Sequence, residues 1–101
     1  MKNVVLFCAG GMSTGLIVKK MKDEAARLGK DYQIAAYGLA EADAYAPTAD
    51  VILVGPQVRY AVDKLKAEYP DKPIQFIEMK VYGMMDGAKI LHIAMKAMGE
   101  E

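Results

Sequence analysis

Val4-Val5-Leu6-Phe7-Cys8-Ala9-Gly10-Gly11-Met12-Ser13-Thr14-Gly15 is an apolar run that ends on a cysteine and gives way to glycines and hydroxyls. Four apolar residues without polar alternation read as a short strand covered on both faces, as in a parallel sheet. A helical period follows over residues 14–28. Ile17, Val18, Met21, Ala25 and Leu28 share one face, while Lys19, Lys20, Lys22, Asp23 and Arg27 point outward, and Gly29 supplies the stop. Strand, glycine-rich turn and helix together open a parallel α/β unit.

Three more apolar runs extend that reading: Gln33-Ile34-Ala35-Ala36-Tyr37, Val51-Ile52-Leu53-Val54 and Ile74-Gln75-Phe76-Ile77. The second strand alternates more than the others and suits an edge. Val58, Ala61, Val62, Leu65 and Tyr69 form the inner face of a helix expected over 57–68, which Pro70 and Pro73 separate from the fourth strand. Asp86 is a good N-cap for a last helix carrying Ile90, Leu91, Ala94, Met95 and Met98. Residues 39–50, Ala-rich with Pro47, suggest a short helical turn plus loop. The expectation is one domain over 1–101: a doubly wound, four-stranded parallel sheet in the order 2-1-3-4 with helices on both faces. Ligands in such sheets bind beyond the strand C-termini at the switch point, here between strands 1 and 3. Residues 8–15 and Gly55-Pro56-Gln57 both reach that place.

Composition narrows the setting. Lys+Arg and Asp+Glu are 13 each, which argues against a nucleic-acid or anionic-membrane footprint. A single cysteine cannot form an intramolecular disulfide, and a secreted domain of this size usually carries pairs. The N-terminal apolar run is too short for a signal peptide, and no stretch approaches a transmembrane span, so no direct membrane insertion is expected. The chain reads as cytoplasmic.

The chemistry concentrates in residues 8–15. Glycine permits close approach of a ligand to the backbone, and the amides opening a helix add unpaired donors and a positive dipole end, which together make an anion site. Ser13 and Thr14 can cap the helix and donate to a bound oxyanion. The same field favours the thiolate of Cys8, and a thiolate beside a phosphate cradle is placed for phosphoryl transfer. The bland reading keeps Cys8 as a small buried hydrophobe and the glycines as tight packing.

Residues 8–15 also resemble the C-S-A-G-M-S-T-S loop of the IIB component in the lactose/cellobiose (chitobiose) branch of the sugar phosphotransferase system. Residues 49–60, with Gly55-Pro56-Gln57, are similar to that family's third strand and G-P-Q turn. Asp71-Lys72-Pro73-Ile74 matches the approach to its fourth strand, and Tyr82-Gly83 with Asp86-Gly87 the start of its last helix. The resemblance implies a phosphocarrier: Cys8 takes a phosphoryl group from a phosphohistidine on a IIA protein. The phosphocysteine then phosphorylates a sugar held by a membrane-embedded IIC permease, with cellobiose, chitobiose, lactose and other β-glucosides as candidates. It implies no cofactor beyond the covalent intermediate, and a monomer that docks transiently. Ala9, Gly10, Gly11, Met12, Ser13, Thr14 and Gly15 become the phosphate cradle. Ala9, Gly10 and Gly15 depart from the family's Ser, Ala and Ser while keeping or raising backbone freedom.

Low-molecular-weight tyrosine phosphatases use a similar loop with the pattern C-x5-R. Thr14 stands where that arginine would be, and Arg27 and Arg59 lie elsewhere. Without a bidentate clamp on the phosphoryl oxygens, hydrolysis by this chain should be poor and transfer favoured. A phosphatase or arsenate-reductase-like hydrolase, and a redox or regulatory module built on Cys8, are the other readings. Gln57 and Tyr60, after the third strand, and Tyr82, in the turn after the fourth, lie in sequence where they can line the cleft or meet a partner. His92, the only histidine, reads as structural, and with a single Cys no metal site is expected.

Overall fold

The four apolar runs become four parallel strands: β1 (Lys2–Cys8), β2 (Tyr32–Gly38), β3 (Val51–Val54) and β4 (Ile74–Phe76). Their order is β2-β1-β3-β4, as the sequence implied, in a computed structural model that describes residues 1–9 and 12–100. The register places Val5 beside Ala35 and Ile52, and Ile52 beside Ile74, with Cys8 opposite Gly38 at the end of β1. β2 has one strand neighbour, β1, which accounts for its more polar pattern.

Period-two alternation divides the strands between two apolar layers. Val4, Leu6, Val51 and Leu53 point into one layer with Ile17, Met21 and Ala25 of α1 (Met12–Arg27) and with Ile90, Leu91 and Ala94. Val5, Phe7, Ile52 and Val54 point into the other with Ala42, Ala46, Val58, Ala61 and Leu65. Helices therefore cover both faces.

Several local expectations change. α1 starts at Met12 rather than at residue 14, so Thr14 lies inside the first turn and does not cap it. The helix expected over 57–68 is two pieces. Pro56–Ala61 is a 3₁₀ stretch interrupted at Val58 (φ −120°, ψ 29°), and a true α-helix follows over Val62–Glu68. Proline favours the first turn of a helix, but the non-helical Val58 prevents one continuous ladder. Residues 39–48 are three short pieces: 3₁₀ turns Leu39–Glu41 and Ala46–Thr48 flank α2 (Ala42–Tyr45). With Val62–Glu68 as α3, the remaining helices are α4 (Met79–Gly83) and α5 (Gly87–Met98). Asp86 caps α5 as expected, its carboxylate accepting the Lys89 amide at 3.1 Å.

α1 and α5 meet closely because Gly87 has no side chain. A Cβ there would press on Lys20 Cβ and stand 2.9 Å from both Ile17 O and Met21 N, against backbone that cannot yield. Further along this helix pair, Glu24 accepts two bonds from Arg27, each 2.8 Å, and lies 2.7 Å from His92 Nε2. His92 is thus tied to α1, in keeping with a structural role. The guanidinium of Arg27 first, and His92 second, hold the Glu24 carboxyl down from its ordinary 4.5 to about 2. A depressed folded-state value gives stabilisation that is complete above the unfolded value and is lost as pH falls through the folded one. Glu24→Gln should therefore show a shallower loss of stability than the parent between about pH 4.5 and 2, measured by denaturant titration at each pH. Parallel acid limbs for the two proteins would remove Glu24 from this account.

Candidate functional site

β1 is the scaffold for the cysteine. Cys8 is the strand's last residue rather than the first of a loop, and it is 1% exposed. Strand pairing on both sides of β1 fixes its backbone, and Gly55, just after β3, fixes its flank. The Gly55 amide donates to Phe7 O at 2.8 Å, and a Cβ on Gly55 would stand 3.2 Å from Cys8 Cβ. A side chain at residue 55 would crowd the cysteine, and glycine leaves the approach open. This is the switch point between β1 and β3, where the doubly wound topology places a ligand site.

The sulfur is not packed solely against hydrocarbon. Cys8 Sγ lies 3.2 Å from Thr14 Oγ1, and Thr14 Oγ1 lies 2.6 Å from Tyr82 Oη. Starting α1 two residues earlier than expected turns the Thr14 hydroxyl inward, so a residue read as a helix cap is instead a partner of the thiol. Tyr82 comes from α4, not from a turn after β4, and is 5% exposed. Burial pushes its phenol above the ordinary 10, with the neighbouring Cys8 adding to the shift and the bond to Thr14 opposing it. Tyr82 is therefore a protonated hydroxyl at neutral pH.

A cavity of about 470 Å³ opens beside these groups, lined by Cys8, Thr14, Gly15, Lys22, Tyr37 and Glu41 among others. Glu41 is also held at the end of β2 by accepting the Gly38 amide at 3.3 Å. Lys22 was read as a solvent-facing residue, yet it brings positive charge to this cavity. The helical spacing Gly15, Val18, Lys22 was the available signal, since residues three or four apart along a helix share a flank. Gln57 is exposed, and its Oε1 would stand 3.2 Å from the same Gly55 Cβ position that Cys8 crowds, so it belongs to the rim.

Tyr60 goes elsewhere. It is 77% exposed and lines two other cavities, one with Leu39 and Lys64 and one with Arg59 and Phe76; Cys8 lines neither. Ala9 is exposed at the mouth of β1. Gly10 and Gly11, and the side chains of Met12 and Ser13, lie outside the described residues. Neither arginine lines the Cys8 cavity: Arg27 is engaged by Glu24, and Arg59 sits 5.2 Å from the centre of the Phe76 ring. Among the described residues no three His, Cys, Asp or Glu side chains gather as for a metal, and no helix is long and apolar enough to cross a membrane.

A buried thiol at the C-terminal end of a central parallel strand, beside the first turn of a helix and bonded to its hydroxyl, defines an α/β domain with a cysteine at the switch point. The chain belongs to the family described as "PTS system, Lactose/Cellobiose specific IIB subunit", whose model matches residues 3–92. It is a sugar phosphotransfer component. Two relatives are 44% identical: a PTS system galactose-specific EIIB component from Lactococcus lactis subsp. cremoris and a cellobiose-specific one from Lactococcus lactis subsp. lactis. Each match covers 92% of this chain and 93% of the relative. The solution structure of the cellobiose-specific phosphotransferase IIB component protein from Borrelia burgdorferi, 30% identical, has a TM-score of 0.80 over 97% of this chain and 92% of that one.

Proposed function

We propose that this chain is a cytoplasmic phosphocarrier that accepts a phosphoryl group on Cys8 from a IIA phosphohistidine and passes it to a sugar held by a IIC permease. The observation that carries this reading is the placement of Cys8 Sγ at the switch point, 3.2 Å from a hydroxyl in the first turn of α1. In loading, the S–P bond forms as the N–P bond of the phosphohistidine breaks, and the thiol proton ends on the imidazole. In unloading, a sugar hydroxyl oxygen forms its bond to phosphorus, the S–P bond breaks, and the hydroxyl proton replaces the phosphoryl group on sulfur. The backbone amides of residues 9–15 hold the phosphoryl oxygens, helped by the positive end of α1. Thr14 in place of an arginine favours handing the group on over losing it to water. No metal or cofactor enters the scheme, and the chain acts as a monomer meeting each partner in turn.

A β-glucoside disaccharide such as cellobiose or chitobiose suits the family. Two equally similar relatives are named for different sugars, which supports a sugar choice made in the permease. Incubation with phosphoenolpyruvate, the general phosphotransfer proteins and a cognate IIA should raise the intact mass by one phosphoryl group, mapped to Cys8. Labelling at another residue, or none, overturns the proposal. Label that appears chiefly as inorganic phosphate, in the presence of permease and sugar, points to the phosphatase reading instead.

A further inference from the structure

The geometry points to Thr14 and Tyr82 as a two-hydroxyl relay that reorients with the charge on the Cys8 sulfur. This rests on Cys8 being the phosphoryl carrier. The three groups are buried together, Sγ to Oγ1 at 3.2 Å and Oγ1 to Oη at 2.6 Å, joining β1, α1 and α4, with the phenol also close to the sulfur. Thr14 and Tyr82 are only 5% exposed each, so water does not compete freely for these hydroxyls.

Each hydroxyl has one proton and can also accept. With the thiol protonated, its S–H can point at Thr14 Oγ1, and Thr14 can donate to Tyr82. Once the sulfur is anionic it can only accept. Tyr82 then donates to Thr14, and Thr14 turns its proton to the sulfur. Burial keeps the Tyr82 phenol protonated, which leaves that second orientation a donor at its far end. No proton is transferred between the groups; two O–H bonds rotate. The thiolate is nucleophile in loading and leaving group in unloading, so one relay stabilises the same charged sulfur in both half-reactions. Charge-assisted bonds to a buried acceptor are stronger than neutral ones. Thr14 touches the reacting atom, whereas Tyr82 is a positioning residue acting through it.

The test reads Cys8 directly, through its rate of alkylation by iodoacetamide at one neutral pH, and so does not depend on phosphoryl transfer. Thr14→Val should slow alkylation about tenfold and Tyr82→Phe about fivefold, the size expected for one hydrogen bond to a charged group and for one bond acting at a remove. Thr14→Ser, which keeps the hydroxyl, should restore a rate within about twofold of the parent. Adding Tyr82→Phe to Thr14→Val should change the rate by less than about twofold, because the connection is already cut. The phenol also lies beside Cys8, and an undiminished effect of Tyr82→Phe in the Thr14→Val background would mean it acts there directly, which overturns the relay. A Tyr82→Phe rate at or above the parent's overturns it too. Should Tyr82→Phe not fold, the Tyr82 Cζ NMR shift followed through deprotonation of Cys8 decides: movement in the parent that Thr14→Val abolishes supports the relay, and movement that persists in Thr14→Val, or none in the parent, overturns it. If the parent takes no phosphoryl group while these rates fall as stated, the carrier reading fails and the relay stands.

Discussion

Sugar phosphorylation driven through this chain should fall about a thousandfold or more in Cys8→Ser, the scale expected when a nucleophile is removed. The argument concerns activation rather than size. A serine hydroxyl is a poor nucleophile unless a base takes its proton, and the hydroxyl bonded to position 8 is not one. Thr14 is an alcohol, and Tyr82 is a phenol that burial makes still harder to ionise. His92, the only histidine in the sequence, stands on α5 and is engaged by Glu24. Cysteine depends less on such a base, because sulfur is intrinsically the stronger nucleophile. The variant should fold normally, since a hydroxyl at this position can keep a bond to Thr14. The measurement is sugar-phosphate formation with IIA and permease supplied in excess, alongside a far-ultraviolet circular dichroism spectrum. A folded Cys8→Ser retaining more than about a tenth of parental activity would place the phosphoryl group elsewhere.

The sheet order and the place of Cys8 where β1 ends were legible in the sequence for the same reason: both are encoded locally. Val4–Phe7 and Val51–Val54 lack polar alternation because both faces are covered, and Asp86 caps its helix through a bond to Lys89, three residues away. What stayed hidden is long-range or too short to show a period. α4 is five residues, just over one helical turn, so Tyr82 looked like part of a turn. The Thr14–Tyr82 and Glu24–His92 contacts each span 68 positions, and no local pattern announces them. Gly87 stood out only as part of the Asp86-Gly87 match, and nothing local told that α1 approaches so closely that a single methyl there would collide with backbone. Lys22 was assigned to solvent because a lysine among lysines on a helix usually is. The first turn of α1 determines which flank faces the Cys8 cavity, and that start was misplaced by two residues.

Leu53→Ala should lower unfolding free energy by about 2–5 kcal/mol. Leu53 is 0% exposed in the middle of β3, flanked by Leu6 on β1 and Gln75 on β4. Its side chain enters the layer shared with Ile17, Met21, Ile90 and Leu91. Strand pairing on both sides prevents the backbone from collapsing into the space left behind, so a cavity cost adds to the lost transfer energy. Domains of about this length are stable by roughly 5–15 kcal/mol, so the change removes a large fraction. The melting temperature should drop by about 4–8 °C per kcal/mol lost. Urea titration should show a lower midpoint with an unchanged slope, which separates lost stability from a changed denatured state. The site should be spared while the variant remains folded, because Val54 still pairs with Phe7 and the Gly55 amide still donates to the Phe7 carbonyl. Alkylation of Cys8 well below the melting temperature should therefore match the parent within about twofold, since the bond from Sγ to Thr14 is unaltered. A loss below about 1 kcal/mol would mean the layer repacks around the gap. A large change in Cys8 reactivity at full folding would mean that the gap reaches the site through Tyr82, which packs in the same apolar layer as Leu53.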